Sequence, residues 1–201
     1  MTNESKNMSP EERLTKLGII LPSAPPGVGA YIPWNRTGNL LVTSGQLPWV
    51  NGEMAYEGKL GAEFDEAQGY EAAKICGLNA LAQLRDAAGT LDHIARIVRL
   101  EGYVHTAPGF RGHPKVLDGA SELFNHVFGD EGKHARLALG INEMPLGAAV
   151  QLCVWGRAKI RVRQLLEKNL AGGHLKFTPF SPLIIILNVD SLPMVFESWP
   201  Q

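Results

Sequence analysis

A long helix, an alternating strand and a second helix are predicted in direct succession in the middle of the chain. Phe64–Ala88 contains good helix formers with apolar residues at helical spacing, and Gly89 is placed to end the helix. Ile97–His105 alternates as a half-buried strand does. Its apolar side is expected to hold Val98, Leu100, Gly102 and Val104. Pro114–Phe128 then repeats its apolar residues every three to four positions, which predicts an amphipathic helix.

Shorter strands are predicted on both sides of this unit. The turn-forming residues 36–39 indicate a hairpin, and Asn51-Gly52 is a second turn signal that closes the segment after Gln46-Leu47-Pro48. Four apolar runs are the predicted strands: Ala30–Trp34, Leu40–Ser44, Ala135–Glu143 and Ala149–Ala158. This order of elements favours an α+β domain with one mixed sheet and two helices packed on a single face.

The other face of such a sheet needs cover of its own. Two helices cannot bury all the apolar strand residues, among them Val42, Leu47, Val104 and Trp155. We therefore expect copies of the chain to associate through the open face of the sheet.

Composition divides the 201 residues into three parts. Residues 1–12 form a polar leader, residues 13–160 form one patterned domain, and residues 161–201 form a dissimilar tail. Because Pro and Gly interrupt the tail without any period, we expect it to be a poorly ordered appendage; an interaction segment is the alternative.

Charge and hydropathy exclude several classes of protein. Nineteen Lys and Arg against twenty Asp and Glu leave a net charge of −1, so no basic excess is present to bind nucleic acid. The leader is acidic and lacks an apolar core, unlike a secretory signal, and the apolar run Leu183–Leu187 is too short to cross a bilayer. We therefore expect a cytoplasmic protein without a membrane partner.

The sequence shows no metal or cofactor motif. Cys76 and Cys153 are too few and too far apart for a disulfide framework or a zinc site, so reduced thiols are expected. The six histidines never recur at the spacing of a helical metal pair. Glycine-rich phosphate loops are absent as well, so neither a metal nor a cofactor is predicted.

Arg136 is the residue that the pattern alone singles out. It shares one face of its predicted strand with the small residues Ala138 and Gly140, while Leu137 and Leu139 lie on the other face. An Arg with space around it can hold a carboxylate through two parallel hydrogen bonds. The alternative is an ordinary surface or salt-bridged Arg.

Several motifs in a fixed order resemble one family. They are Tyr31 after Val28-Gly29-Ala30, the run from Arg36 to Leu40, the run from Thr43 to Pro48, the run from Ala135 to Gly140, and Glu143-Met144-Pro145. Together they resemble the reactive-intermediate deaminases (Rid, YjgF-like), once labelled L-PSP endoribonucleases. The resemblance extends from about Gly27 to Val154. Within the family, the chain is similar to a longer-chain subgroup of less certain activity.

The resemblance implies a chorismate-mutase-like α+β subunit and a homotrimer with three clefts between neighbouring subunits. In that family a strand Arg, matched by Arg136, binds the carboxylate of a 2-imino acid. Water then hydrolyses the imine to a 2-keto acid and ammonia, without a cofactor.

The resemblance also implies further site residues. Tyr31 matches a tyrosine that lines the cleft, and Gly45 matches a glycine whose backbone approaches the substrate; core packing and turn formation are their alternatives. Asp118 falls near a substrate-side position often held by Asn. Gln151 stands where deaminase members hold a catalytic Glu, and Gln cannot act as a general base although its side-chain oxygen can orient water.

Two functions remain open on the sequence. The first is hydrolytic deamination of 2-imino or enamine acids, with Arg136 and Gln151 as catalytic residues. The second is non-catalytic binding or sensing of small carboxylates in the same cleft. Ribonuclease activity ranks last, since net charge and the lack of a recognisable acid–base pair count against it.

Overall fold

The computed structural model describes residues 8–27 and 29–159. The predicted tail, residues 161–201, and most of the predicted leader lie outside these residues, so both stay predictions. Within the described residues, no helix has the length and the apolar character needed to cross a bilayer.

Three α-helices form in the described residues. Helix α1 (Pro10–Lys16) begins at Ser9 with a capping box, in which side chain and backbone of the first turn bond reciprocally. Helix α2 (Glu66–Ala88) ends where Gly89 adopts the left-handed conformation, with φ of 82°. Helix α3 (His113–Phe128) has a proline in its first turn. Both long helices are confirmed to within two residues at each end.

Seven strands form in the same residues: β1 (Trp34–Thr37), β2 (Leu40–Thr43), β3 (Trp49–Val50), β4 (Glu53–Met54), β5 (Ile94–His105), β6 (Ala135–Ile141) and β7 (Val150–Ala158). Five of them form one sheet in the order β1-β2-β7-β5-β6, and β3 pairs with β4 as a separate hairpin. Strands β5 and β6 are parallel, while the other neighbours are antiparallel. Helices α2 and α3 pack on each other and on the sheet. The predicted α+β fold with a mixed sheet is confirmed.

The first hairpin corrects a prediction. Strand β1 starts at Trp34 rather than Ala30, because Pro33 has no backbone N–H to donate to a neighbouring strand. The residues predicted as a turn, Arg36 and Thr37, pair with β2 instead. The reversal takes only two residues, and its Gly38 supplies the positive φ of 57° that so tight a turn requires.

The alternation of β5 is also different from the prediction. Two register shifts near its start break the period of two. Ile97 and Leu100, three residues apart, are therefore both buried, while Val98 is only half-buried. The expectation that Val98 joins the apolar side is wrong, whereas Leu100 and Val104 do face the core.

The sheet has a helix-side face and an open face. The helix-side face, centred on Leu100 and Val154, is fully buried under α2 and α3. Val104 lies on this face and Leu47 lies in a smaller cluster, so these two of the four named residues are buried within one chain. The open face keeps half-buried side chains in rows from β2 to β6, among them Val42, Tyr103, Leu137, Gln151 and Trp155. Part of the predicted uncovered surface is thus present.

Helices α2 and α3 approach each other closely at Gly119. A Cβ at this position would collide with the backbone carbonyl oxygen of Tyr70 on α2. Because a backbone atom cannot swing aside, Gly119→Ala should destabilise the fold by about 1–3 kcal/mol and lower Tm by roughly 2–12 °C. Calorimetric unfolding measures this, with exposed Asn125→Ala on the same helix as control. An unchanged melting temperature for Gly119→Ala would contradict the close approach.

Candidate functional site

Arg136 lies on β6, an edge strand of the sheet. Its row partner on β5 is Leu100, which in turn pairs with Val154 on β7. Both partners are buried beneath the helices, so Arg136 projects from the helix-side face. The predicted opposition of Arg136 to Leu137 and Leu139 is confirmed.

Two side chains of α3 hold the guanidinium of Arg136. Its Nη1 donates to Oδ1 of Asp118 at 2.6 Å and to Oγ of Ser121 at 3.1 Å. These residues share a helix face because they are three positions apart. The Nε and Nη2 atoms have no hydrogen-bond partner among the described residues. Asp118, predicted to contact substrate, thus pairs with the arginine, and the other edge of the guanidinium is left for a planar anion.

A histidine extends this network. His134 bonds the Gly132 carbonyl through Nδ1 at 2.6 Å and Ser121 Oγ through Nε2 at 3.1 Å. A carbonyl only accepts, so Nδ1 carries the proton, and Nε2 accepts from the Ser121 hydroxyl. Burial lowers the pKa of His134, and the charge of Arg136 lowers it further. A neutral His134 therefore orients Ser121 so that its oxygen can accept from Arg136.

Ser121 and His134 were not singled out from the sequence. The spacing between Asp118 and Ser121 on a predicted amphipathic helix was an available signal, as was His134 two residues before Arg136. What no pattern showed is that this helix face meets this edge of the sheet.

Gln151 lies on β7 opposite Tyr103, and therefore on the open face. A Cβ at Gly45 would collide with the side-chain amide of Gln151, so only glycine lets the backbone lie against that amide. The pairing of β2 and β7 shifts by one residue here, between Val42 opposite Trp155 and Gln46 opposite Leu152. Gly45 thus marks a close approach at a bulge rather than a turn.

The open face beside Gln151 is polar in part. Arg99 Nε contacts Glu101 Oε1 at 2.7 Å, and Glu101 pairs across the sheet with Cys153. Burial raises the pKa of the Cys153 thiol, and the negative charge of Glu101 raises it further. The shift favours the protonated thiol, which is a weaker nucleophile than the thiolate.

Gly45 is also one of the residues that line an apolar groove of about 230 Å³. Its walls are mostly apolar: Tyr31, Pro33, Leu47, Trp49, Pro145 and Leu146. Tyr31 is 53% exposed, so it lines the groove rather than the core. Leu146 has left-handed backbone angles, φ 57° and ψ 22°, which cost a leucine about 1–2 kcal/mol. Its side chain is nevertheless 58% exposed.

The predicted site residues thus form two groups. Tyr31, Gly45 and Gln151 lie together around the apolar groove and the open face. Arg136 and Asp118 lie together on the helix-side face. Two strand spacings of about 4.8 Å each also separate β6 from β7, so the fold does not bring Arg136 to Gln151 within one chain. Among the described residues, no group of three or more His, Cys, Asp or Glu could hold a metal.

Comparisons with known proteins agree with this architecture. Residues 11–157 match the family model described as "YjgF/chorismate mutase-like, putative endoribonuclease". Protein TCP17 of Trypanosoma cruzi is 39% identical over 140 residues, or 69% of this chain and 88% of that protein. A crystal structure of a "putative endoribonuclease" from Shewanella oneidensis covers 75% of this chain and 99% of its own, at 39% identity and a TM-score of 0.73. Atu1372 of Agrobacterium tumefaciens, a protein of unknown function, covers 75% and 92% at 38% identity and a TM-score of 0.70.

Proposed function

This chain belongs to the YjgF/chorismate mutase-like family, and from that membership we propose that it hydrolyses reactive 2-imino or enamine acids to 2-keto acids and ammonia. The observation that carries the proposal is the held guanidinium of Arg136, whose Nε–Nη2 edge is open. A small carboxylate fits that edge through two parallel hydrogen bonds. Asp118 and Ser121 fix the guanidinium in advance, so little side-chain entropy is lost when the anion binds.

The charge of Asp118 opposes an incoming anion, so its removal gives a test of the anchor. Asp118→Asn keeps an oxygen that can accept from Nη1 but removes the charge. We expect a gain in pyruvate affinity of about 0.2–1 kcal/mol, or up to roughly fivefold. Titration calorimetry at low salt measures it, and the gain should shrink in high salt. Weaker binding by Asp118→Asn would mean that its charge is needed to position Arg136.

Hydrolysis needs a water placed over the imine carbon. In the proposed reaction, water adds to C2 of the protonated imine and one of its protons passes to the nitrogen. The C–N bond then breaks as the new hydroxyl at C2 gives up its own proton, which leaves the 2-keto acid and ammonia, released as ammonium. The side-chain oxygen of Gln151 accepts a hydrogen bond from this water, while the backbone of Gly45 lies against the same amide. Because position 151 has no carboxylate to act as a general base, the rate of the proposed reaction depends mainly on the electrophilicity of the protonated imine.

A site that uses both Arg136 and Gln151 has to combine two chains. The two residues leave opposite faces of one sheet, and Arg136 is at an edge where a neighbour can approach. The half-buried open face, including Val42 and Trp155, supplies surface for that contact. We therefore propose a homotrimer with its sites between subunits. Light scattering should give three times the mass of one chain, and a stable monomer at micromolar concentration would contradict the shared site.

The reaction is tested by supplying purified protein with freshly generated 2-iminopropanoate. Enzyme-dependent release of ammonia together with pyruvate, above the spontaneous rate, is the expected result. A parallel incubation with RNA should leave the RNA intact, since a net charge of −1 offers little to bind a phosphate backbone. No acceleration over buffer would overturn the deaminase.

One observation favours a second function, a non-catalytic binder or sensor of small carboxylates. Gln151 has no titratable group, whereas the anchor at Arg136 does not depend on it. Carboxylate binding without ammonia release would select this alternative. For either function we propose the cytosol, where the free thiols of Cys76 and Cys153 stay reduced.

A further inference from the structure

The lining of the apolar groove is predominantly apolar. None of its lining residues is charged. The Ser44 hydroxyl donates to the carbonyl of Ile32 at 2.6 Å, and the Gln46 amide donates to the carbonyl of Ser44 at 3.0 Å. Because these polar groups are already bonded within the chain, the groove favours an apolar occupant.

Leu146 at this groove points to the same conclusion independently. Its left-handed backbone is unfavourable for a leucine, and its exposed side chain gains little from burial in this chain. Asn or Gly would occupy the position with less strain. Backbone strain of this kind is concentrated at functional sites. Leu146 lines the groove and does not belong to the buried core.

We propose, on the basis of the proposed function, that this groove receives the side chain of the substrate. It selects 2-imino acids with bulky apolar side chains, such as isobutyl or benzyl, over those with a methyl group. Gly45 lines the groove and its backbone lies against the side-chain amide of Gln151, so the groove adjoins the place where the proposed reaction holds C2 of the substrate. An apolar cavity of about 150 Å³ accepts benzene, and the groove measures about 230 Å³.

The 2-keto acid products test the proposal without catalysis. Titration calorimetry should show 4-methyl-2-oxopentanoate binding at least about tenfold more tightly than pyruvate, since one methylene in an apolar pocket gives about 10–200-fold discrimination. Leu146→Asn, which suits the left-handed backbone, should abolish this preference. Leu146→Gly should do the same. Leu17→Asn, at a leucine that is 47% exposed outside the groove, is the matched control and should keep the preference.

The outcomes separate the two proposals. If pyruvate binds and Arg136→Ala abolishes that binding, but the larger keto acid gains nothing, the groove assignment is wrong and the anchor stands. The assignment is also wrong if both Leu146 variants retain the preference. If neither keto acid binds the parent protein, the carboxylate site itself fails and the groove assignment fails with it.

Discussion

Replacing Gln151 with Glu should raise the rate of imine hydrolysis by about 10²–10⁴-fold, the usual contribution of a positioned general base. The substitution is nearly isosteric, and the side chain is half-buried against the Gly45 backbone, so the fold should survive. A carboxylate at this place takes the proton of the attacking water, which an amide cannot do. Initial rates of ammonia release measure the change.

The pH profile of Gln151→Glu gives a second readout. The variant should lose rate as the pH falls through the pKa of the new carboxyl, ordinarily about 4.3, whereas the parent has no group at position 151 to titrate. Gln68→Glu makes the same chemical change at an exposed position near the start of α2 and should leave the rate unchanged. If Gln151→Glu stays inactive while both proteins bind carboxylates through Arg136, hydrolysis is the wrong function and the binder is favoured.

Arg136→Ala should weaken the binding of pyruvate by about tenfold to more than a hundredfold. Loss of hydrogen bonds to a charged group costs roughly 1.5–3 kcal/mol, which corresponds to that range of Kd. The unpaired carboxylate of Asp118 would add repulsion toward the anion. Arg136→Lys should not restore binding, because an ammonium cannot donate two parallel hydrogen bonds in the same plane. Titration calorimetry with pyruvate measures all three proteins.

Arg111→Ala removes the same charge from an exposed loop before α3 and controls for the loss of net charge. Affinity should then fall only slightly at low salt, and the difference from the parent protein should disappear in high salt. Should Arg136→Ala bind pyruvate as well as the parent, the arginine has a structural role in the network with Asp118 and Ser121 and is no anchor.

The long elements were predictable because local signals agree with the tertiary structure. Helix α2 has an N-cap at Asp65 and a left-handed glycine at its end. The apolar residues of α3 recur every three to four positions, and these are the residues that the helix buries. The start of β1 could also be predicted, because Pro33 is visible in the sequence and a proline rarely lies inside a paired strand. The inner side of β5 could not, because its bulges change the pairing without changing the apolar pattern.

The site residues divide along the same line. The face of Arg136 followed from strand alternation, because the period of two is a local property. Its partners Asp118, Ser121 and His134 depend on how α3 packs over the edge of the sheet, which no single-sequence pattern contains. The positive φ of Leu146 could not be predicted from the sequence either, because leucine rarely adopts that conformation and the residue type gives no sign of it.

Because Arg136 and Gln151 leave opposite faces of one sheet, chains defective at the two positions would complement each other in a mixed trimer. In the proposed trimer each chain contributes its arginine to one cleft and its groove to another. A chain defective at one position would then spoil a single cleft of the trimer and leave the other clefts intact. When one chain is defective at Arg136 and its neighbour at Gln151, the cleft that combines the intact Arg136 with the intact Gln151 is complete. Cells that carry both alleles would therefore recover activity that neither allele supports alone.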